Sequence, residues 1–521
     1  TLALAGEEGR LIYVFGFWRE WDFNPHWFTY PQGYFYAAFI LQWIVFAGGK
    51  ILGIYKNVSE FTAQFALKPH FFYFLARLTS TFFGTASVYA IYRVGKKYFN
   101  ETAGLLSAFF LSFSPLHVKY SQEYYPDVFV TLFILLAFIP IYNIYINGKT
   151  RDYILAGILI GLGIGTKYFP AAIILELGLA HILYIKHEKI SWKNIINKNL
   201  IICIIFIGIV FFISSPYSII NFGEVSKFLA NRGNDLPGKW FGFEKSSDSK
   251  ILHHLTVNLP SAISLTLEIL GFLGIAYALF KIFKELKLKT LFDKISLYFP
   301  SLFLILFLIT FFILIERGGL HFINYMVTAL PFFLLFAAFF LVEIIQKIRI
   351  NTNLQKIAVI CIALLVSSEN INACLKNGYY MSQKNTRIEG VEWIEANIPA
   401  GAKIVGTTYS PPLLYGDEIL ETLNDPMYKE QIALIKEKLL SRPRYQFFIL
   451  PWIPQYYDLN LLKEKFDYII IDSGIYARHQ AAPEFHPTEV NFYQDLDKRC
   501  VLIKLIEGEP KQPGPTIKIY K

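Results

Sequence analysis

Two adjacent carboxylates, Glu7 and Glu8, stand between the small opening residues Thr1-Leu-Ala-Leu-Ala-Gly6 and the aromatic run Leu11-Ile-Tyr-Val-Phe-Gly-Phe-Trp18. At a membrane face such a pair suits general-base or metal chemistry, because ionised acids are scarce where lipid sets the cost. A solvated loop ahead of a helix explains the same charges. Arg10 follows, then Asp22 and the turn-forming stretch Asn24-Pro-His-Trp-Phe-Thr-Tyr-Pro-Gln-Gly33, which carries His26. Glu7, Glu8, Asp22 and His26 could ligate a divalent metal, although their spacing matches no metal motif.

Other candidates lie far along the chain. Ser114-Pro-Leu-His117-Val-Lys119-Tyr120-Ser-Gln-Glu123-Tyr-Tyr-Pro-Asp127 gathers His, Lys, Glu and Asp between two apolar stretches. Lys119 could meet a phosphate as a point charge, while Asp127, just after Pro126, equally suits the first turn of a helix. Gly161-Leu-Gly-Ile-Gly165-Thr-Lys167 puts a lysine at the end of a glycine-spaced helix, where it either snorkels or contacts a ligand. Glu316-Arg317-Gly-Gly-Leu-His321 forms another tight turn, whose acid and base could simply anchor helices. The polar, glycine-rich run from Asn231 to Phe243 could be a lid. Acids in one loop and cations in several others suit transfer from a phosphate-linked donor. A carboxylate deprotonates the acceptor, and cations hold the leaving phosphate as its charge develops.

The elements that must position these groups are membrane helices. The 521 residues are 54% hydrophobic, 17% aromatic and only 17% charged, with a mean hydropathy of +0.40, the profile of a polytopic membrane protein. The net charge of +9 falls in short basic runs between apolar stretches, as in cytoplasmic loops facing anionic lipid, and no nucleic-acid-binding signature accompanies it. Cys203, Cys361, Cys374 and Cys500 have no metal or redox spacing.

Apolar windows of roughly 17 to 25 residues predict spans near 71–93, 102–117, 128–147, 153–166, 168–186, 199–214, 261–281, 297–315, 322–345 and 355–372. The aromatic stretch Tyr34 to Phe46 reads as an interfacial or re-entrant piece. Every second loop is basic, beginning with Arg93, Lys96 and Lys97, so the positive-inside rule places residues 1–70, 117–127, the Lys167 turn, 215–260 and 316–321 on the extracytoplasmic side. An acidic outer loop should follow a span, so a transmembrane segment upstream of residue 1 is expected. Beyond about residue 380 the composition becomes that of a soluble domain. A helix over 386–397, strands at 403–408, 445–450 and 466–472, and a helix near 427–441 predict an outer α/β domain with a partly parallel sheet, over 380–521.

The ordered motifs resemble the GT-C superfamily of integral-membrane glycosyltransferases, in particular the family of protein O-mannosyltransferases and lipid A aminoarabinose transferases. The resemblance rests on Glu7-Glu8-Gly-Arg10-Leu-Ile-Tyr13, Pro25-His-Trp-Phe-Thr-Tyr-Pro31, Ser114-Pro-Leu-His117-Val-Lys119-Tyr120 with Asp127, Gly165-Thr-Lys167-Tyr168, and His321-Phe-Ile-Asn-Tyr325 with Pro331, and covers about residues 1–372. It implies a polytopic α-helical GT-C-like membrane domain of about 10 to 11 helices over 1–372, with the α/β domain outside a bacterial or archaeal plasma membrane. It also implies a polyprenyl-phosphate sugar donor and an inverting transfer to a protein hydroxyl, lipid or glycan. By the same resemblance the first acid of the pair is the catalytic base. The family usually has Asp-Glu there, and the Glu7-Glu8 sequence leaves open which glutamate takes the proton. Arg10, His117, Lys119, Tyr120, Asp127, Lys167, Arg317 and His321 are the implied donor phosphate and sugar contacts. The resemblance fixes no cofactor, and a divalent metal could assist.

Two other functions use the same features. A lipid or glycan transporter would place the charges along a translocation path within the spans, but most of these charges sit at helix ends, and no inverted repeat is visible. A receptor or scaffold would rely on the outer domain alone.

Overall fold

The computed structural model describes residues 9–191, 195–233, 249–287, 300–317, 322–348, 351–413, 432–440 and 442–521. Glu7, Glu8, His321, residues 234–243 of the expected lid and the ends of the expected 427–441 helix therefore lie outside the described residues.

The chain opens with α1 (Leu11–Glu20), α2 (Gly33–Ile51) and α3 (Val58–Leu67), followed by the bundle helices α4 (Pro69–Tyr98), α5 (Glu101–Ser112), α6 (Pro115–Gln122), α7 (Pro126–Asn147), α8 (Thr150–Ile164), α9 (Ile174–His187) and α10 (Lys198–Ser214). Next come α11 (Tyr217–Ile220), α12 (Phe222–Gly233), α13 (Lys250–His253), α14 (Leu259–Ile263), α15 (Leu265–Lys287), α16 (Ser301–Arg317), α17 (Met326–Lys347) and α18 (Thr352–Ser382). Local chemistry sets many boundaries. Asn57, Asn100 and Asn197 accept the N–H groups of Glu60, Ala103 and Leu200 at the starts of α3, α5 and α10, and Pro69, Pro115 and Pro126 occupy first turns whose N–H groups would lack helical partners anyway.

Among the described residues, Gly33–Ile51, Pro126–Asn147, Phe169–His187, Leu265–Lys284, Ile323–Lys347 and Thr352–Asn397 are long and apolar enough to cross a membrane, and Glu101–Ser112, Lys198–Ser214 and Ser301–Glu316 are shorter apolar helices. The protein is an integral membrane protein. Its bundle core includes Phe110, Leu135, Phe138, Ile160 and Phe307 packed around α17, which is buried at every position from Met326 to Phe339.

Two expected spans differ from the structure. The window 102–117 is broken at Ser114, whose extended backbone (ψ 116°) precedes Pro115, because a residue before proline is pushed out of the α region. The window 153–166 ends at Ile164, where Gly165 opens a turn toward a 3-10 helix, Phe169–Ile173. The expected loop 215–260 contains helical pieces, including a π-helical turn at His254–Asn258.

The glycines of α8 allow close packing. A Cβ on Gly161 would lie 2.9 Å from the Ile207 carbonyl of α10, and one on Gly33 would lie 2.6 Å from the Gly165 carbonyl. The Gly33 N–H donates to that carbonyl at 2.8 Å, and the Gln32 N–H donates to Ser215 Oγ at 3.1 Å. The start of α2 is thereby fastened to the ends of α8 and α10. After α2, α3 brings Ala63 and Leu67 against Phe15 and Ile435, the latter from the C-terminal domain.

The C-terminal domain has α19 (Thr386–Asn397), α20 (Ile432–Leu440), α21 (Leu459–Lys465), α22 (Ser473–Ala481) and α23 (Pro487–Arg499), with strands β1 (Lys403–Gly406), β2 (Gln446–Ile449), β3 (Tyr468–Asp472), β4 (Leu502–Ile506) and β5 (Ile517–Tyr520). The sheet order is β2-β1-β3-β5-β4. β1 runs parallel to β2 and β3, whereas β5 pairs antiparallel with β3 and β4. Alternation in β3 sends Ile470 to the α19 side with Ile394, and Ile469 and Ile471 to the other with Leu462 and Leu496, so both faces are covered.

Candidate active site

Asp127 begins the site. Pro126 starts α7 and Asp127 falls in its first turn, where the N-terminal end of the helix favours an anion. Its Oδ1 lies 2.6 Å from Lys167 Nζ, and its Oδ2 accepts a hydrogen bond from Asn324 Nδ2 at 3.1 Å. Asp127 is 0% exposed and Lys167 3%, so the lysine does not snorkel. The pair joins three regions that are remote in sequence: the start of α7, the turn after α8 and the 3-10 helix Ile323–Tyr325 ahead of α17.

Aromatic rings enclose the ammonium. Lys167 Nζ lies 5.0 Å from the Tyr30 ring centre, 5.4 Å from Tyr325 and 5.6 Å from Phe169, within cation–π range. Arg10 approaches Tyr30 as well, its guanidinium 5.5 Å from that ring and 4.1 Å from Trp27. Tyr13 of α1 stacks on Trp27 at 5.8 Å, which holds the 21–32 loop against the first helix. Tyr30 therefore stands between two cations brought from separate parts of the chain.

Above this centre, between the bundle and the C-terminal domain, lies a cavity of about 700 Å³, a size suited to a small ligand. Gly9, Lys119, Tyr120 and Tyr125 line its bundle side, and Arg387, Tyr409 and Arg478 its domain side. Tyr125 packs edge-on against Tyr120 at 4.7 Å and is two residues from Asp127. Gly9 immediately follows Glu8.

The remaining candidates separate. His117 is buried, and its Nε2 makes no hydrogen bond among the described residues. It faces a different cavity of about 570 Å³, walled by Thr81, Thr85, Tyr89 and Ser121 of α4 and α6. Glu316 accepts the Ile251 N–H at 2.9 Å and the Ser249 hydroxyl at 3.2 Å, so it anchors the start of α13. The side chain of Arg317 lies outside the described residues. Asp22 and His26 meet at 2.8 Å in an exposed turn. The Asn24 N–H, and then the His26 contact, hold the Asp22 carboxyl below its ordinary range. Glu7 and Glu8, the other two candidate metal ligands, lie outside the described residues. Cys374 and Cys500 are both free.

The sequence assigned no individual role to Trp27, Tyr30, Tyr125, Asn324 or Tyr325, although all five fall in motifs singled out above. Nothing in the sequence pointed to Arg387, Tyr409 or Arg478, since which face of the outer domain meets the bundle is a tertiary property.

The family model described as dolichyl-phosphate-mannose-protein mannosyltransferase matches residues 65–217, the part of the chain that contains Asp127 and Lys167. Comparison with curated proteins gives no match. Among solved structures, the chain is similar to the Archaeoglobus fulgidus oligosaccharyltransferase tethered with an acceptor peptide containing the NVT sequon, at TM-score 0.50 and 10% identity, over 98% of this chain and 69% of that one. It is also similar to A. fulgidus AglB in complex with an inhibitory peptide and a dolichol-phosphate, at TM-score 0.46 and 11% identity, over 90% of this chain and 66% of that one. A third is apo ArnT from Cupriavidus metallidurans, at TM-score 0.46 and 10% identity, over 98% and 93% of the two chains. The chain thus spans just under two thirds of the length of AglB, and identities this low speak to fold alone. The fold is similar to that of the A. fulgidus oligosaccharyltransferase, and residues 65–217 match the model of the dolichyl-phosphate-mannose-protein mannosyltransferase family.

Proposed function

We propose that this protein transfers a sugar from a polyprenyl-phosphate donor to a protein hydroxyl, a lipid or a glycan on the extracytoplasmic face of a bacterial or archaeal plasma membrane. The observation that carries the reading is the buried Lys167–Asp127 pair, set in an aromatic cage below a cavity whose wall includes the residue after Glu8. A lysine held in place by a fixed carboxylate is suited to a phosphate leaving group.

In the proposed step Glu7 or Glu8 takes the acceptor hydroxyl proton. The acceptor oxygen bonds to the anomeric carbon while the bond from that carbon to the phosphate oxygen breaks, and the polyprenyl phosphate departs with the electron pair. Attack opposite the phosphate inverts the anomeric centre. Lys167 steadies the developing charge, Arg10 holds the donor phosphate as it binds, and Lys119 lies in the cavity wall where an incoming group would pass. Arg317 and His321 are further phosphate contacts in this reading. Tyr30, flanked by both cations, offers a flat apolar face suited to the sugar or the first isoprene unit.

The test is mass spectrometry of polyprenyl-phosphate sugars and of glycosylated products in cells with and without the chain. Loss of the chain should raise the donor pool and remove one product. Unchanged donor and product pools would contradict the proposal.

A further inference from the structure

The C-terminal domain holds a second group of chemically able side chains, away from the cavity. His479 of α22 and Glu489 of α23 are 2% and 4% exposed, and His486 precedes the first turn of α23. Each offers one ligand atom, and these atoms all lie within 4.8 Å of one another. The two imidazole rings are 4.7 Å apart. His486 Nδ1 and Glu489 Oε1 are separated by 3.8 Å, beyond hydrogen-bond range. The spacing is close to the roughly 3.3 Å expected between two ligands of a tetrahedral zinc ion with bonds near 2.0 Å.

The surroundings fit a metal as well. His479 Nδ1 is 2.9 Å from the Tyr493 hydroxyl, a contact that orients the ring, as partners of the second ring nitrogen do for metal-bound histidines. Tyr457 packs edge-on against the same ring at 5.5 Å. Two imidazoles and one carboxylate form a donor set suited to zinc and to similar divalent transition metals.

We propose that His479, His486 and Glu489 bind one zinc-type divalent ion, with its fourth position taken by water. The ion ties α22 to α23 across the connection 482–486. Arg478, next to His479, lines the cavity between domain and bundle, so the clamp also fixes part of that cavity's wall.

The test uses the full-length protein in detergent, stripped with a chelator and titrated with Co²⁺ and then Zn²⁺. The wild type should bind one equivalent of Co²⁺ with the visible bands of a four-coordinate ion, which Zn²⁺ displaces, and Zn²⁺ should raise its unfolding temperature. Glu489→Gln and His486→Ala should each weaken binding by more than about tenfold and abolish the thermal shift, and Tyr493→Phe should weaken it about tenfold. Both ligand variants are conservative enough for folding to be verified by the unchanged unfolding temperature of the stripped proteins. No stoichiometric binding by the wild type, or equal binding by Glu489→Gln and His486→Ala, would leave only a histidine–glutamate pair at a helix start and overturn the proposal.

Discussion

Asp127 and Asp472 are both fully buried aspartates at the start of a helix, yet their partners differ in kind. Asp127 faces the Lys167 ammonium and the Asn324 amide, drawn from three parts of the membrane bundle. Asp472, at the end of β3, accepts only neutral donors among its hydrogen bonds: the Thr407 hydroxyl, the Tyr409 N–H at 3.0 Å and the Ile475 N–H at 3.2 Å. Its carboxyl is pushed above the ordinary range by burial, against the pull of those hydrogen bonds. The domain carboxylate is a helix cap that closes its own sheet. The bundle carboxylate fixes a cation, and a buried cation held in place is what a phosphate leaving group requires. Residue type and depth are the same at the two positions, and the charge of the partner sets them apart.

The largest effect should come from breaking the charged pair. Lys167→Met or Asp127→Asn alone leaves a buried charge or its partner unmatched and should cost about 3–5 kcal/mol, read as thermal or denaturant unfolding in detergent. The double variant Lys167→Met/Asp127→Leu should recover most of that stability without recovering transfer. Recovery of both would reduce the pair to a structural strut.

Asp472→Ala should cost less, about 1–3 kcal/mol, through the lost cap and the stranded Thr407 hydroxyl. Transfer per folded molecule should persist. The acid limb of stability supplies a finer contrast. A carboxyl whose folded pKa is raised binds its proton more tightly in the folded state, so its contribution is complete below the unfolded value and is lost as pH rises through the folded one. Asp472→Asn should remove that loss, so the gap in stability between variant and wild type should grow from acid toward neutral pH. A gap independent of pH would show that Asp472 titrates alike in both states.

The smallest effect belongs to the aromatic shelf. Trp27→Ala removes the surface under Arg10, a contact of about 0.5–2 kcal/mol, which should raise the KM for donor by roughly 2- to 30-fold with kcat nearly unchanged. A fall in kcat with unchanged KM would instead place Arg10 in the transition state.

Much of this architecture was legible because a bilayer leaves a strong signature. Long apolar windows gave the bundle, and the glycine spacing from Gly161 to Gly165 correctly suggested close helix approach. Strands β1, β2 and β3 were readable as short β-branched and aromatic runs. β4 and β5 were missed, although Leu502-Ile-Lys-Leu-Ile506 and Ile517-Lys-Ile-Tyr520 are apolar enough to be strands, because interspersed lysines on a partly exposed edge weaken the alternation. The break at Ser114-Pro115 was overlooked because hydropathy continues through it while the backbone cannot. At the site, Lys167 was singled out with snorkelling preferred to ligand contact, since its partner is 40 residues away. His117 stood beside Lys119 in sequence but turns into another cavity, because residues two apart on a helix do not share a face.

The central claim is that a carboxylate of the Glu7-Glu8 pair deprotonates the acceptor beside the Lys167 centre. Its most direct test is sugar transfer from a polyprenyl-phosphate donor by purified Glu7→Gln and Glu8→Gln proteins, each compared with wild type at equal folded concentration. At least one variant should lose transfer by about two or more orders of magnitude, the contribution of a general base, while its unfolding temperature is unchanged. Full transfer by both variants would contradict it.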